Sequence, residues 1–132
     1  MPKKILVVDD SATSLVLNQI VITRRSPHQV LTAKSGPEAL QLAASMKPDL
    51  ILMDVMMEGM DGLEVCRRLR SQVATAKIPI VLLTYRSEGD SAQKGFECGC
   101  DAYLNKPVES AKLLETLNKY LEDKPTVPPG RP

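Results

Sequence analysis

The stretch that decides the fold is DLILMDVMMEGMDG, residues 49–62. It opens with a continuous run of large apolar residues, the pattern of a strand covered on both faces. That run ends on a bare carboxylate, Asp54, and Glu58, Asp61 and two glycines follow closely. Burying an unpaired carboxylate costs several kcal/mol. Asp54 therefore either escapes to water as a turn residue or belongs to a site that needs it.

Working outward, the same kind of run recurs. KILVV (4–8) is apolar and β-branched, HQVLTA (28–33) is a weaker version, and IPIVLLT (78–84) carries Pro79 near its start, where a missing donor does least harm. AYLN (102–105) is a short fifth strand. Between the strands lie helical patterns. Ser11 caps a first helix whose apolar stripe contains Leu15, Ile20 and Val21. SGPEALQLAASM (35–46) follows, with Pro37 suited to a first turn. GLEVCRRLRS (62–71) turns Leu63, Val65, Cys66 and Leu69 toward the core, behind Asp61 as a turn or capping residue. SEGDSAQKGFECG (87–99) reads as a helix ended by Gly99, and ESAKLLETLNKYLE (109–122) as an amphipathic last helix. Strand then helix, five times over, predicts an α/β fold: a doubly wound five-stranded parallel sheet with right-handed crossovers and helices on both faces.

The chain has 132 residues, the size of one domain. Only 3% of them are aromatic, so the core must be aliphatic. A formal net charge of +1 provides no global field for nucleic acid or anionic membranes. No apolar run approaches the roughly 20 residues of a membrane span, and the first run meets Asp9 and Asp10 where a leader would have a cleavage site. Cys66, Cys98 and Cys100 are odd in number and lack metal-site spacing, which fits a reducing, cytoplasmic setting. Residues 1–122 read as the domain, and DKPTVPPGRP (123–132) as a flexible proline-rich tail.

In an open parallel sheet, sites form beyond the carboxyl ends of the strands, where the strand order reverses. Strand 1 ends in Asp9 and Asp10, strand 3 in Asp54, strand 4 in Thr84, and strand 5 runs into Lys106-Pro107. Crowded carboxylates repel until a proton or cation relieves them. An all-oxygen set suits Mg²⁺, whereas zinc and copper would want the imidazole or thiol that this edge lacks. Lys106 can reach a phosphoryl oxygen and the Thr84 hydroxyl can donate to another. Together these groups describe a site that forms an aspartyl phosphate.

ILVVDDS, DLILMDVMMEGMDGLEV, IPIVLLT and GFECGCDAYLNKP together resemble the receiver domain of two-component response regulators, over residues 3 to 122. The resemblance implies a flavodoxin-like fold of strand order 2-1-3-4-5 with five helices. It also implies that Asp54 accepts a phosphoryl group from a phosphohistidine of a sensor histidine kinase or phosphotransfer protein. Mg²⁺ would be held by Asp10, Asp54 and the backbone carbonyl of Met56, with Asp9 acting through water. Thr84 and Lys106 would contact the phosphoryl group, and Tyr103 would turn inward as Thr84 moves. The implied protein is a monomer or weak dimer that acts on a further protein through its helix 4, strand 5 and helix 5 surface. As a signalling phosphoacceptor it would catalyse only its own phosphorylation and dephosphorylation. Since no output domain follows, it would be of the stand-alone type, without direct contact to nucleic acid or membrane.

Several positions depart from the family. Glu58 stands where a proline is usual and Tyr85 where a small residue is usual, while Met56 and Arg86 occupy places that tune the lifetime of the phosphoryl group. An unusual dephosphorylation rate is expected, of either sign. Two other functions compete. A receiver-like binding module indifferent to phosphorylation would draw on Tyr85 and Glu58. An aspartate-nucleophile phosphatase needs Asp-x-Asp after the first strand, whereas Asp9 and Asp10 are adjacent. Blander readings stand beside each residue: Asp9 and Asp10 as helix starters, Tyr103 as packing, the cysteines as small core residues, Arg67, Arg68 and Arg70 as a solvated face, and His28 as inert.

Overall fold

The computed structural model describes residues 3–85, 99–106 and 108–121. The expected helix over 87–98, Arg86, Cys98, Pro107 and the proline-rich tail lie outside them, as does the side chain of Tyr85. The continuous apolar runs form five parallel strands: β1 (Lys4–Val8), β2 (Gln29–Ala33), β3 (Leu50–Asp54), β4 (Ile80–Tyr85) and β5 (Ala102–Lys106). Their order is β2-β1-β3-β4-β5, as expected. Four helices are described: α1 (Ala12–Arg25), α2 (Gly36–Met46), α3 (Gly62–Arg70) and α4 (Ser110–Leu121). None of them is long and apolar enough to cross a membrane.

The two-residue period of a strand sends alternate side chains to opposite faces. Leu6, Val8, Ile51, Met53, Ile80 and Leu82 pack with Ala39 and Ala43 of α2 and Val65, Cys66 and Leu69 of α3. Ile5, Val7, Leu50, Leu52, Val81, Leu83 and Leu104 pack with Leu15 and Ile22 of α1 and Leu113, Leu117 and Leu121 of α4. Both faces are covered, which is why these strands read as unbroken apolar runs. β1 lies inside the sheet, so the chain leaves it toward β2 and later crosses back to β3; the order reverses between β1 and β3.

Capping follows the sequence. The side chains of Ser11, Ser35 and Asp61 accept from the amides of Ser14, Glu38 and Glu64 at the starts of α1, α2 and α3. Two expectations need correction. Ile20, placed in the core stripe of α1, is 42% exposed, and Ile22 is fully buried in its stead. Arg70, read with Arg67 and Arg68 as solvated, is not. Its guanidinium donates to the carbonyls of Gly99 (2.8 Å), Ala76 (3.1 Å) and Ile78 (2.7 Å) and to Asp101 Oδ2 (2.7 Å). Arg67 and Arg68 do lie on the surface, both paired with Glu64.

Candidate functional site

β1 and β3 end side by side at the switch point, and each leaves an acid there. Val8 is in register with Met53, so Asp9 follows β1 beside Asp54, the last residue of β3. Asp9 and Asp54 are buried and Asp10 is exposed. One carboxylate oxygen from each of the three lies within 4.8 Å of the others.

Lys106, at the end of β5, crosses β4 to reach them. Its Nζ donates to Asp54 Oδ2 at 2.9 Å and lies 3.7 Å from Asp9 Oδ2. Backbone amides hold one oxygen of each carboxylate. Ser11 donates to Asp9 Oδ1 (2.9 Å), Met56 to Asp54 Oδ1 (3.2 Å) and Glu58 to Asp10 Oδ2 (2.9 Å). Burial pushes the Asp54 carboxyl above its ordinary pKa, and nearby Asp9 adds to this. The hydrogen bond and charge of Lys106 oppose it, helped by the Met56 amide.

Thr84 is buried one residue beyond Leu83, the β4 partner of Asp54. Tyr103 pairs with Leu82 from β5 and packs partly buried against the α2–α3 face, its hydroxyl shielded from water. Met56 is 58% exposed. The strand ends thus bring Asp9, Asp10, Asp54 and Lys106 into one cluster, with Thr84 on the strand between Asp54 and Lys106. Tyr103 stands farther back in the sheet.

The loop over 55–61 is set by two glycines. Gly59 has φ +85°, a left-handed turn that L side chains rarely adopt. At Gly62 an added Cβ would come within 2.5 Å of the Asp54 carbonyl oxygen, so only glycine lets α3 start against the end of β3. The donor set fits Mg²⁺: it is all oxygen, three carboxylates face one ammonium, and the buried Asp9 Oδ2 accepts no hydrogen bond among the described residues. Sequence reasoning missed one contributor, the Glu58 amide. Its partner Asp10 lies 48 residues away and is reached by a backbone group, which leaves no residue-type signature.

The Response regulator receiver domain model matches residues 5–118. The chain belongs to that family. Among receiver-containing relatives, it is 43% identical over 113 residues to the transcriptional regulatory protein AfsQ1 of Streptomyces coelicolor, covering 86% of this chain and 48% of AfsQ1. It is 36% identical over 118 residues to protein PilH of Pseudomonas aeruginosa, covering 89% of this chain and 97% of PilH. This receiver therefore spans about half the length of one relative and nearly all of the other.

Solved structures agree with the fold. A putative response regulator from Chloroflexus aurantiacus superposes with a TM-score of 0.87 at 34% identity, over 93% of this chain and all of that one. The receiver domain of the sensor histidine kinase PA1611 from P. aeruginosa, which has a magnesium ion coordinated in its active-site cleft, gives 0.84 at 25% identity over the same shares. The expected receiver of two-component response regulators, its parallel sheet and its strand order all hold.

Proposed function

We propose that this receiver takes a phosphoryl group on Asp54 from a phosphohistidine of a sensor kinase or phosphotransfer protein, and that the modified domain changes its affinity for a further protein. The observation that carries the reading is the 2.9 Å contact between Lys106 and Asp54 at the head of a three-carboxylate cluster. In the transfer, a carboxylate oxygen of Asp54 bonds to phosphorus as the phosphorus–nitrogen bond of the donor breaks. The imidazole leaves with the electron pair and takes a proton from solvent. Lys106 holds Asp54 in place and supplies positive charge to the developing phosphoryl oxygens. The Thr84 hydroxyl donates to one of those oxygens. Asp10, Asp54 and the Met56 carbonyl, with Asp9 through water, would hold Mg²⁺, which when bound offsets the negative charge of acids and phosphate.

Access to the donor is provided by α1, which carries no acid in its first turn and exposes Val16 (51%), Leu17 (59%) and Ile20 (42%). An uncharged apolar stripe of this kind suits a protein donor. The phosphorylated state adds about 1.5 to 2 negative charges next to Lys106 and Thr84. That charge biases a pre-existing equilibrium of the β5 and α4 surface. The protein acts as a cytoplasmic signalling element and modifies only itself.

Incubation with acetyl phosphate and Mg²⁺, followed by intact-mass measurement, tests the reading. One added phosphate is expected, removed by hydroxylamine and absent when Mg²⁺ is withheld. An unmodified chain under all conditions would instead favour a binding module indifferent to phosphorylation.

A further inference from the structure

Each carboxylate of the cluster is tied by one backbone amide, and the ties are not alike. Asp9 and Asp54 are bound by amides two residues ahead, in local turns that form with the strand ends. Asp10 is bound by the amide of Glu58, 48 residues along the chain. Asp10 is also the exposed member, so packing does not hold its carboxylate. Among the described residues, the Glu58 amide is the hydrogen-bond donor that fixes it.

The loop that carries this amide is itself constrained on both sides. Gly59 turns left-handed immediately after Glu58, and Gly62 sits flush against the Asp54 carbonyl while its amide donates to the Val55 carbonyl at 2.9 Å. The Glu58 N–H is therefore aimed by the backbone and not by its own side chain. The amide uses Oδ2 of Asp10 and leaves the other oxygen for a cation. A carboxylate already oriented gives up less rotamer freedom when it becomes a ligand, and groups that orient ligating side chains raise metal affinity. A proline at this position would have no N–H to offer.

We infer that the Glu58 backbone amide is a positioning group that sets the affinity of the site for a divalent cation by fixing Asp10. The inference rests on the cation reading of the site given above. It makes the β3–α3 loop and the cation interdependent: binding at Asp10 steadies the loop, and a change in the loop loosens the cation.

The test is calorimetric titration of Mg²⁺ into the wild-type chain, Glu58→Gln and Glu58→Pro, with hydrogen exchange of the Glu58 amide measured in the wild type and in Asp10→Ala. Glu58→Gln keeps the amide and should bind Mg²⁺ within about threefold of wild type, since one exposed charge is weakly felt. Glu58→Pro should bind about tenfold more weakly. The Glu58 amide should be protected in the wild type before any Mg²⁺ is added, and should lose that protection in Asp10→Ala. Wild-type affinity in Glu58→Pro, or an equal loss in Glu58→Gln, overturns the inference while the cation reading stands. A wild-type chain that binds no Mg²⁺ overturns both. Should Glu58→Pro fail to fold, the amide measurement decides, and an amide that exchanges equally fast with and without the Asp10 carboxylate overturns the inference.

Discussion

Asp54 sits in a position that is costly without ligands. It is buried, next to a second buried acid, and one lysine serves both. Replacing it by Asn keeps the shape and removes the repelled charge. Asp54→Asn is therefore expected to raise the Tm of the Mg²⁺-free chain by a few degrees at neutral pH while losing the stabilisation that added Mg²⁺ gives the wild type. Thermal melts with and without Mg²⁺ read both effects. His28 gives a separate pH signature. Its Nδ1 accepts the Lys3 amide at 3.1 Å. Burial, helped by nearby positive charge including Lys3, holds its pKa below 6.5. Below pH 6.5 the unfolded chain takes up a proton that the folded chain refuses, so stability falls as pH drops toward the lowered native value. Melts between pH 7 and pH 5 should show a smaller decline in His28→Gln than in the wild type.

Among the elements, α1 shows where sequence patterns stop being informative. Val16, Leu17, Ile20, Val21 and Ile22 are apolar nearly all round the helix, so periodicity cannot choose the face that packs. The sheet chooses Leu15 and Ile22 and leaves Ile20 outside. Ile22→Ala should cost about 2–5 kcal/mol, whereas Ile20→Ala should change stability by less than about 0.5 kcal/mol; urea melts measure both. If the outer stripe receives a protein donor, Leu17→Asp with Ile20→Asp should slow phosphotransfer from a phosphohistidine protein. The rate with acetyl phosphate should stay unchanged. Strands were easier to read than α1, because burial on both faces makes their apolar runs continuous and leaves no face to choose. Arg70 was opaque for another reason: three of its acceptors are carbonyls, and sequence patterns identify side chains. It joins α3 to the turn before β4 and to the start of β5, where Asp101 Oδ2 also accepts the Ile80 amide. Arg70→Ala strands these acceptors and should cost roughly 2–4 kcal/mol, with phosphorylation retained in the folded fraction.

At the scale of the molecule, a parallel sheet whose order reverses between β1 and β3 brings residues 9, 10 and 54 together, and a fifth strand carries residue 106 back to them. The cluster was legible because each member ends a strand, and strand ends at one edge must converge once the strands are known to be parallel. The amide ties within it were not, since they depend on loop conformation around Gly59 and Gly62. The central claim is that this convergence makes Asp54, and neither neighbouring acid, the carrier of phosphorus. Treating the acetyl-phosphate-modified chain with borohydride reduces an aspartyl phosphate to homoserine, and peptide mass mapping then locates it. Homoserine at position 54 alone is the predicted result. Homoserine at position 9 or 10, or none in a chain that carries phosphate, would contradict the account.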